Sequence, residues 1–387
     1  MPAQKPLSIF VFIDALGWAL RERYRFGDGI FTHSAPLQTV LGYSCTCDPT
    51  IITGLLPREH GHFSFFVYDP ARSPFSCIRP MRALPKLMSD RMRFRSRLSR
   101  ALGKQLGYTG YFNLYQTPFE LLPDLDYTEK RDLYQAGGII NGQDSIFDHL
   151  RRQHVPFHLS DWRANEATNL ASLHAAIDQG QIRFAYLYLA ELDGILHRDG
   201  CASEPVRAKL RSYEQALKRL QEHATQRYGA VRIFVFSDHG MNDVTQSADL
   251  MARIDMLGLE WGRDYAAVYD STMARFWFIR EDAEQRIRAA LEAEPLGSIL
   301  TEEALAHYGC DFEDHRYGQL FFLMQPGCVI VPSYMGLKRI AGMHGYAPEA
   351  EHSVAFFGST VDASQFAVPR GLTELFPLMA SEAGLEL

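Results

Sequence analysis

Three aspartates each follow an apolar run long enough to cross a sheet, and this pattern limits the chain more than any other feature. The runs are LSIFVFI (7–13) before Asp14, FAYLYLA (184–190) before Asp193, and RIFVFS (232–237) before Asp238. They are continuous rather than alternating, and rich in aromatic and β-branched residues. That is the signature of strands buried on both faces, as in a parallel sheet. A helix fits between the second and third runs. Ser203 can cap it, Pro205 lies in its first turn, and Gly229 ends it. Val206, Leu210, Tyr213, Leu217, Leu220 and Ala224 recur at steps of four and three. Strand, helix, strand predicts an α/β fold with a mostly parallel central sheet and helices on both faces. HSVAFFGS (352–359) reads as one more core strand, and LQTVLGY (37–43) as another.

A length of 387 residues, 47% hydrophobic and 22% charged, fits one soluble α/β domain with insertions. A formal net charge of −7 gives no reason to expect a nucleic-acid polymer as partner. No run of about 18 apolar residues predicts a membrane span. The start, MPAQKPLSIFVFIDALGW, has no convincing signal-peptide core. The six scattered cysteines read as free thiols in a cytoplasmic protein. Residues 76–145 suit an inserted lid or cap. They carry Arg91, Arg93, Arg95, Arg97 and Arg100 among Met, Phe and Leu, so Arg93 and Arg97 are candidate substrate contacts. The competing reading of that stretch is a solvated basic helix. Residues 259–335 read as strand, helix and hairpin, a small α+β subdomain with a Pro-Gly turn near its end.

A carboxylate at the carboxyl end of a buried strand lies where open α/β sheets hold ligands. Each aspartate alone reads more readily as a helix cap. Histidines beside them change the balance. Asp193 and His197 are four apart, so a helical turn puts both on one face. Asp238 and His239 are adjacent and can serve one ion at a sharp bend. His344 sits between Gly342 and Gly345, which permit close backbone approach. Carboxylate with imidazole suits zinc, manganese or iron. Between Asp14 and the basic stretch, YSCTCDPTIITG runs into a short helix. A nucleophile at a helix start gains from the dipole and free N–H groups, and Ser44, Cys45, Thr46 and Cys47 are candidates.

With FIDALGW, PTIITGLLPREHG, ELDGILHRDG, FSDHGM and GMHGY in this order, the chain resembles the alkaline phosphatase superfamily. Within it, the nucleotide pyrophosphatase/phosphodiesterase branch is the nearer match, through TGLLPREHG. The resemblance implies a metal-dependent phosphoric ester hydrolase with two divalent ions, usually zinc, acting on a small-molecule phosphoester. It implies one metal held by Asp193, His197 and His344. The other is implied at Asp14, Asp238 and His239, together with the nucleophile's oxygen. In the branch the nucleophile lies nine residues before the Thr of the Thr-Gly pair. That Thr is Thr53, so the position falls on Ser44, with Thr46 the second candidate. A covalent phosphoseryl intermediate follows from that role. The branch's phosphoryl-binding Asn, three residues after the nucleophile, corresponds to Cys47, a candidate substrate contact. The branch's Thr nucleophile and nearby Pro are replaced by Ser44 and Thr46. CDPTI (47–51) imitates the sulfatase motif but lacks its Arg. Phosphomonoesterase, cofactor-independent phosphomutase and a non-catalytic metal-binding homologue are the alternatives. His60 and His62 read as packing residues.

Overall fold

The computed structural model describes residues 6–83 and 91–387. Its central sheet has six strands: β1 (Leu7–Ile13), β2 (His33–Leu37), β3 (Phe157–Leu159), β4 (Phe184–Leu189), β5 (Val231–Phe236) and β6 (Ala355–Ser359). Their order is β2-β6-β5-β1-β4-β3. Strand β1 pairs in parallel with both β4 and β5, and β3 pairs in parallel with β4. Only β6 runs against its neighbours. The sheet is therefore mostly parallel, as the sequence predicts. Residues of β1 alternate between two cores. Ile9, Val11 and Ile13 join one cluster, whereas Phe10 and Phe12 join the other. Phe10 stacks on Phe184 and Phe234 at 5.2 and 4.9 Å. The helix Glu204–Tyr228 covers the first face with the six residues the spacing picks out.

Strand β2 departs from the expected LQTVLGY. It lies earlier, contains Pro36, and pairs only with β6 at the sheet's edge. A proline lacks the N–H a central strand needs, but an edge strand tolerates it. The next helix, Ser44–Thr53, begins at Ser44 and carries Pro49 inside it, rather than starting at the proline.

Residues 259–335 contain a four-stranded antiparallel sheet in the order 265–269, 273–278, 320–324, 297–299, with the helix Glu281–Glu292. The hairpin is not at the Pro-Gly turn. It is Tyr265–Tyr269 with Met273–Phe278, closed by Asp270 N donating to the Met273 carbonyl at 2.8 Å. Cys328–Ile330, beyond Pro326 and Gly327, pairs instead with Gln246–Ala248. Within 76–145, residues 84–90 lie outside the described residues. Among the rest is the amphipathic helix Met92–Leu106. All six cysteines are free thiols. No helix among the described residues is long and apolar enough to cross a membrane.

Candidate functional site

Four separate stretches meet at the carboxyl edge of β1, β4 and β5. Asp14 follows β1 directly, and its N–H donates to the Leu189 carbonyl at 2.9 Å, tying it to the end of β4. Asp238 follows β5. Its Oδ1 accepts the N–H groups of Ala15 (3.1 Å) and His239 (3.0 Å), and its Oδ2 lies 2.9 Å from His239 Nε2. The chain bends sharply there because Gly240 lets the backbone pass. A Cβ on Gly240 would lie 2.2 Å from the His352 carbonyl. Asp193 and His197 lie on one face of the helix Glu191–Asp199, with His197 Nε2 3.2 Å from Asp193 Oδ1. His344 closes the group, its Nε2 3.7 Å from the same oxygen.

These atoms form two clusters. Asp193, His197 and His344 make one; Asp14, Asp238 and His239 make the other. Within each, one donor atom per residue lies within 4.8 Å of the others. His239 and His344 join the clusters by stacked rings 3.7 Å apart. The tautomers are set by carbonyls, which can only accept. His197 Nδ1–H donates to Gly342 O at 2.8 Å, and His239 Nδ1–H to Gly240 O at 3.0 Å. In the neutral rings both Nε2 atoms therefore present lone pairs inward; against the effect of burial, the Asp193 and Asp238 carboxylates raise the affinity of these two rings for a proton. Asp14 Oδ1, Asp193 Oδ1, Asp238 Oδ2 and His344 Nδ1 are buried without a hydrogen-bond partner. Buried carboxylate oxygens in that state are costly unless a cation joins them. Burial, and then the charges of Asp238 and Asp193, push the Asp14 carboxyl well above its ordinary range. Burial works the same way on Asp193, but His197, His344 and His239 outweigh it and hold that carboxyl low. Burial and the neighbouring His239 hold His344 well below a normal imidazole. The donor sets fit two divalent cations: oxygen and imidazole ligands, three per site, with unsatisfied lone pairs.

Ser44 is the first residue of its helix, and its hydroxyl donates to His239 Nε2 at 3.2 Å. It therefore touches the second cluster at a point where the helix N-terminus adds positive potential. Thr46 turns away: its Oγ1 donates to the Phe63 carbonyl (2.7 Å) and accepts from Tyr43 N (3.4 Å), with no exposed surface. Cys47 is not a substrate contact. It is fully buried, packed with Ile51 and Ile52, and meets Thr39 Oγ1 at 3.6 Å. Cys45 and Asp48 face the open side instead.

A cavity of about 540 Å3 opens over this edge, lined by Asp14, Ser44, Asp193, His197 and His344 and walled by Tyr43, Tyr111, Tyr115, Tyr134, Tyr188 and Trp162. Arg93 and Arg97 do not reach it. They are four apart on the exposed face of their helix, whereas Arg95, buried, donates to the Tyr115 and Thr117 carbonyls. Arg131 and Lys338 are the cavity's own cations.

Among the described residues, four buried acids in the wall escaped notice in the sequence: Asp48, Glu129, Asp132 and Asp270. Asp132 accepts from Trp162 Nε1 at 3.1 Å and from Arg163 at 2.9 Å. Asp48 accepts from Tyr134 OH at 3.3 Å. Asp270 is held by Arg275 and Ser64. Glu129 takes the Nδ1–H of His62 at 2.6 Å, while His62 Nε2 accepts from Ile140 N at 2.9 Å. Asp48 alone carried a signal, being four residues after Ser44 on the same helical face. His60 and His62 are buried packing residues, as expected.

The type I phosphodiesterase/nucleotide pyrophosphatase family matches residues 33–347. The chain belongs to that family. It is a phosphoester hydrolase of the phosphodiesterase type. No curated protein sequence matches it significantly. Among solved structures, murine ectonucleotide pyrophosphatase/phosphodiesterase 5 is similar with a TM-score of 0.67 and 16% identity. The similarity covers 99% of this chain and 96% of that one. An inactive form of the murine protein in complex with AMP gives the same values. The human counterpart gives 0.69 and 14%, at the same coverage. At such identities the likeness establishes the alkaline phosphatase-like fold.

Proposed function

We propose that this family member is a two-metal phosphodiesterase that works through a phosphoseryl intermediate on Ser44. The observation that carries the reading is the Ser44 hydroxyl, at a helix N-terminus, donating to an imidazole of one candidate cation cluster while the other cluster lies beside it. Asp193, His197 and His344 would hold one ion; Asp14, Asp238 and His239, with the Ser44 oxygen, would hold the other. Zinc suits both sets. When bound, such ions neutralise charge on the phosphoryl oxygens and acidify the hydroxyl ligand.

The residues supply the rest. Ser44 Oγ gives its proton to solvent and attacks phosphorus, forming the Oγ–P bond. The bond to the ester oxygen breaks, and the departing alkoxide takes a proton from solvent. A water then attacks the phosphoserine, returning Ser44 and releasing the phosphomonoester. The N–H groups at the start of the Ser44 helix face the developing charge. The aromatic wall suits a substrate with a flat or apolar group, and AMP in the murine relative points the same way.

The test is turnover of bis-p-nitrophenyl phosphate with zinc added. Ser44→Ala should lower kcat by ~10^3-fold or more while two equivalents of metal remain bound. Loss of turnover in Thr46→Ala instead, with Ser44→Ala active, would refute the assignment.

A further inference from the structure

Among the described residues, eight large hydrophobic side chains are strongly exposed; three of them stand at the cavity mouth and a fourth packs beside the same loop. Tyr111 and Ile340 line the cavity itself, at 42% and 39% exposure. Leu337, at 45%, stands between Gly336 and Lys338, which also line it. Met92, at 51%, contacts the Gln116 side chain, and Gln116 N donates to the Tyr334 carbonyl at the base of the same loop. Single exposed apolar residues need no explanation, but three at one opening with a fourth nearby do.

Exposed cations lie beside these residues. Arg91 and Arg93 flank Met92, and Lys338 and Arg339 separate Leu337 from Ile340; all four are exposed. Arg131 adds a fifth on the cavity wall. Glu120, exposed and close enough to influence Tyr334, is outnumbered. The exposed charges here are mostly basic in a chain of formal charge −7, while the carboxylates Asp48, Glu129, Asp132 and Asp270 stay buried in the cavity wall behind them.

Exposed aliphatic tips interleaved with Arg and Lys match a surface that is apolar below and anionic above. A nucleic-acid groove would account for the cations but not for the exposed Leu337 and Met92 side chains. We propose that the rim of the cavity docks onto an anionic phospholipid bilayer. Met92, Leu337 and Ile340 enter the headgroup boundary, and the neighbouring Arg and Lys side chains pair with lipid phosphates.

Sedimentation of the full chain with vesicles tests this without reference to catalysis. Vesicles of phosphatidylcholine with about a third phosphatidylglycerol should capture the protein, and raised salt should release it. Pure phosphatidylcholine should bind at least tenfold less. Leu337→Asp and Arg91→Glu should each weaken capture by about fivefold or more, on the scale of one basic residue at such a surface. Both variants should keep the wild-type thermal midpoint and turnover of a soluble p-nitrophenyl ester. Equal or absent binding to the two vesicle types would overturn the proposal. So would unchanged capture of both variants, or equally tight retention on inorganic polyphosphate that ignores Leu337→Asp.

Discussion

Ser44 and Thr46 are two residues apart and chemically equivalent as nucleophiles, yet the helix turns about 100° per residue and separates them. Thr46 spends its hydroxyl on the Phe63 carbonyl. Thr46→Ala should therefore cost about 1–2 kcal/mol in urea unfolding, the range for a buried acceptor left unpaired, and leave kcat within a few-fold. The same rotation explains why counting residues misplaced the substrate contact. Three steps from Ser44 lead into the core at Cys47, and four lead to Asp48 on the cavity side. His60 offers a pH test. Its Nδ1 accepts from His62 N and its Nε2–H faces Thr50 Oγ1 at 3.0 Å, so the folded ring is neutral, and burial holds its pKa well below 6.5. Below pH 6.5 the unfolded chain takes up a proton that the folded chain refuses, so stability falls with pH and is unaffected above that value. By pH 5.5 the loss from this group should be about 1.4 kcal/mol. His60→Gln should flatten urea-unfolding stability between pH 7.5 and 5.5, and an unflattened profile would count against it.

At the scale of elements, those with a strong pattern read directly. The three apolar runs became β1, β4 and β5, and the heptad-like spacing of 206–224 became the buried face of its helix. Elements whose place depends on tertiary context did not. Pro36 disguised an edge strand, and the Pro-Gly turn did not close a hairpin because Cys328–Ile330 had Gln246–Ala248 to pair with. The arginines of the Met92 stretch suited a lid with Arg93 and Arg97 at the substrate, but the helix sends Arg95 inward and Arg93 and Arg97 outward. The bend after β5 is the element most exposed to a small change. Gly17 and Gly240 approach so closely that a Cβ on Gly17 would stand 2.6 Å from Gly240 Cα. Neither neighbour is a flexible side chain. Gly240→Ala must push the strand end away from the His352 carbonyl and swing His239 with it. Metal stoichiometry should fall from two towards one, and turnover of bis-p-nitrophenyl phosphate should fall at least tenfold. A variant that keeps both ions would show that the bend tolerates a methyl group.

For the whole molecule, the fold class and the candidate ligands were legible because each ligand lies just past a recognisable strand or in a Gly-flanked loop, and their division into two sets followed from the family resemblance. The cavity wall was not, since Glu129, Trp162 and Tyr188 meet only through the order of strands and insertions, which no local pattern encodes. That distribution has a consequence for stability. The clusters draw on residues 14, 193–197, 238–239 and 344, and so tie together the ends of β1, β4 and β5 and the loop before β6. Without cations, Asp14 and Asp238 are buried acids facing each other, and Asp193 and Asp48 add to the repulsion on Asp14. Ligands that bind only the folded chain stabilise it by mass action, about 2.7 kcal/mol per site at free metal a hundredfold above Kd. A chelator should therefore lower the thermal midpoint by several degrees, and added zinc should restore it. Asp193→Asn should remove one site's share of that shift while the other remains. If chelation leaves the midpoint of the wild-type chain where it was, the two clusters are not metal sites.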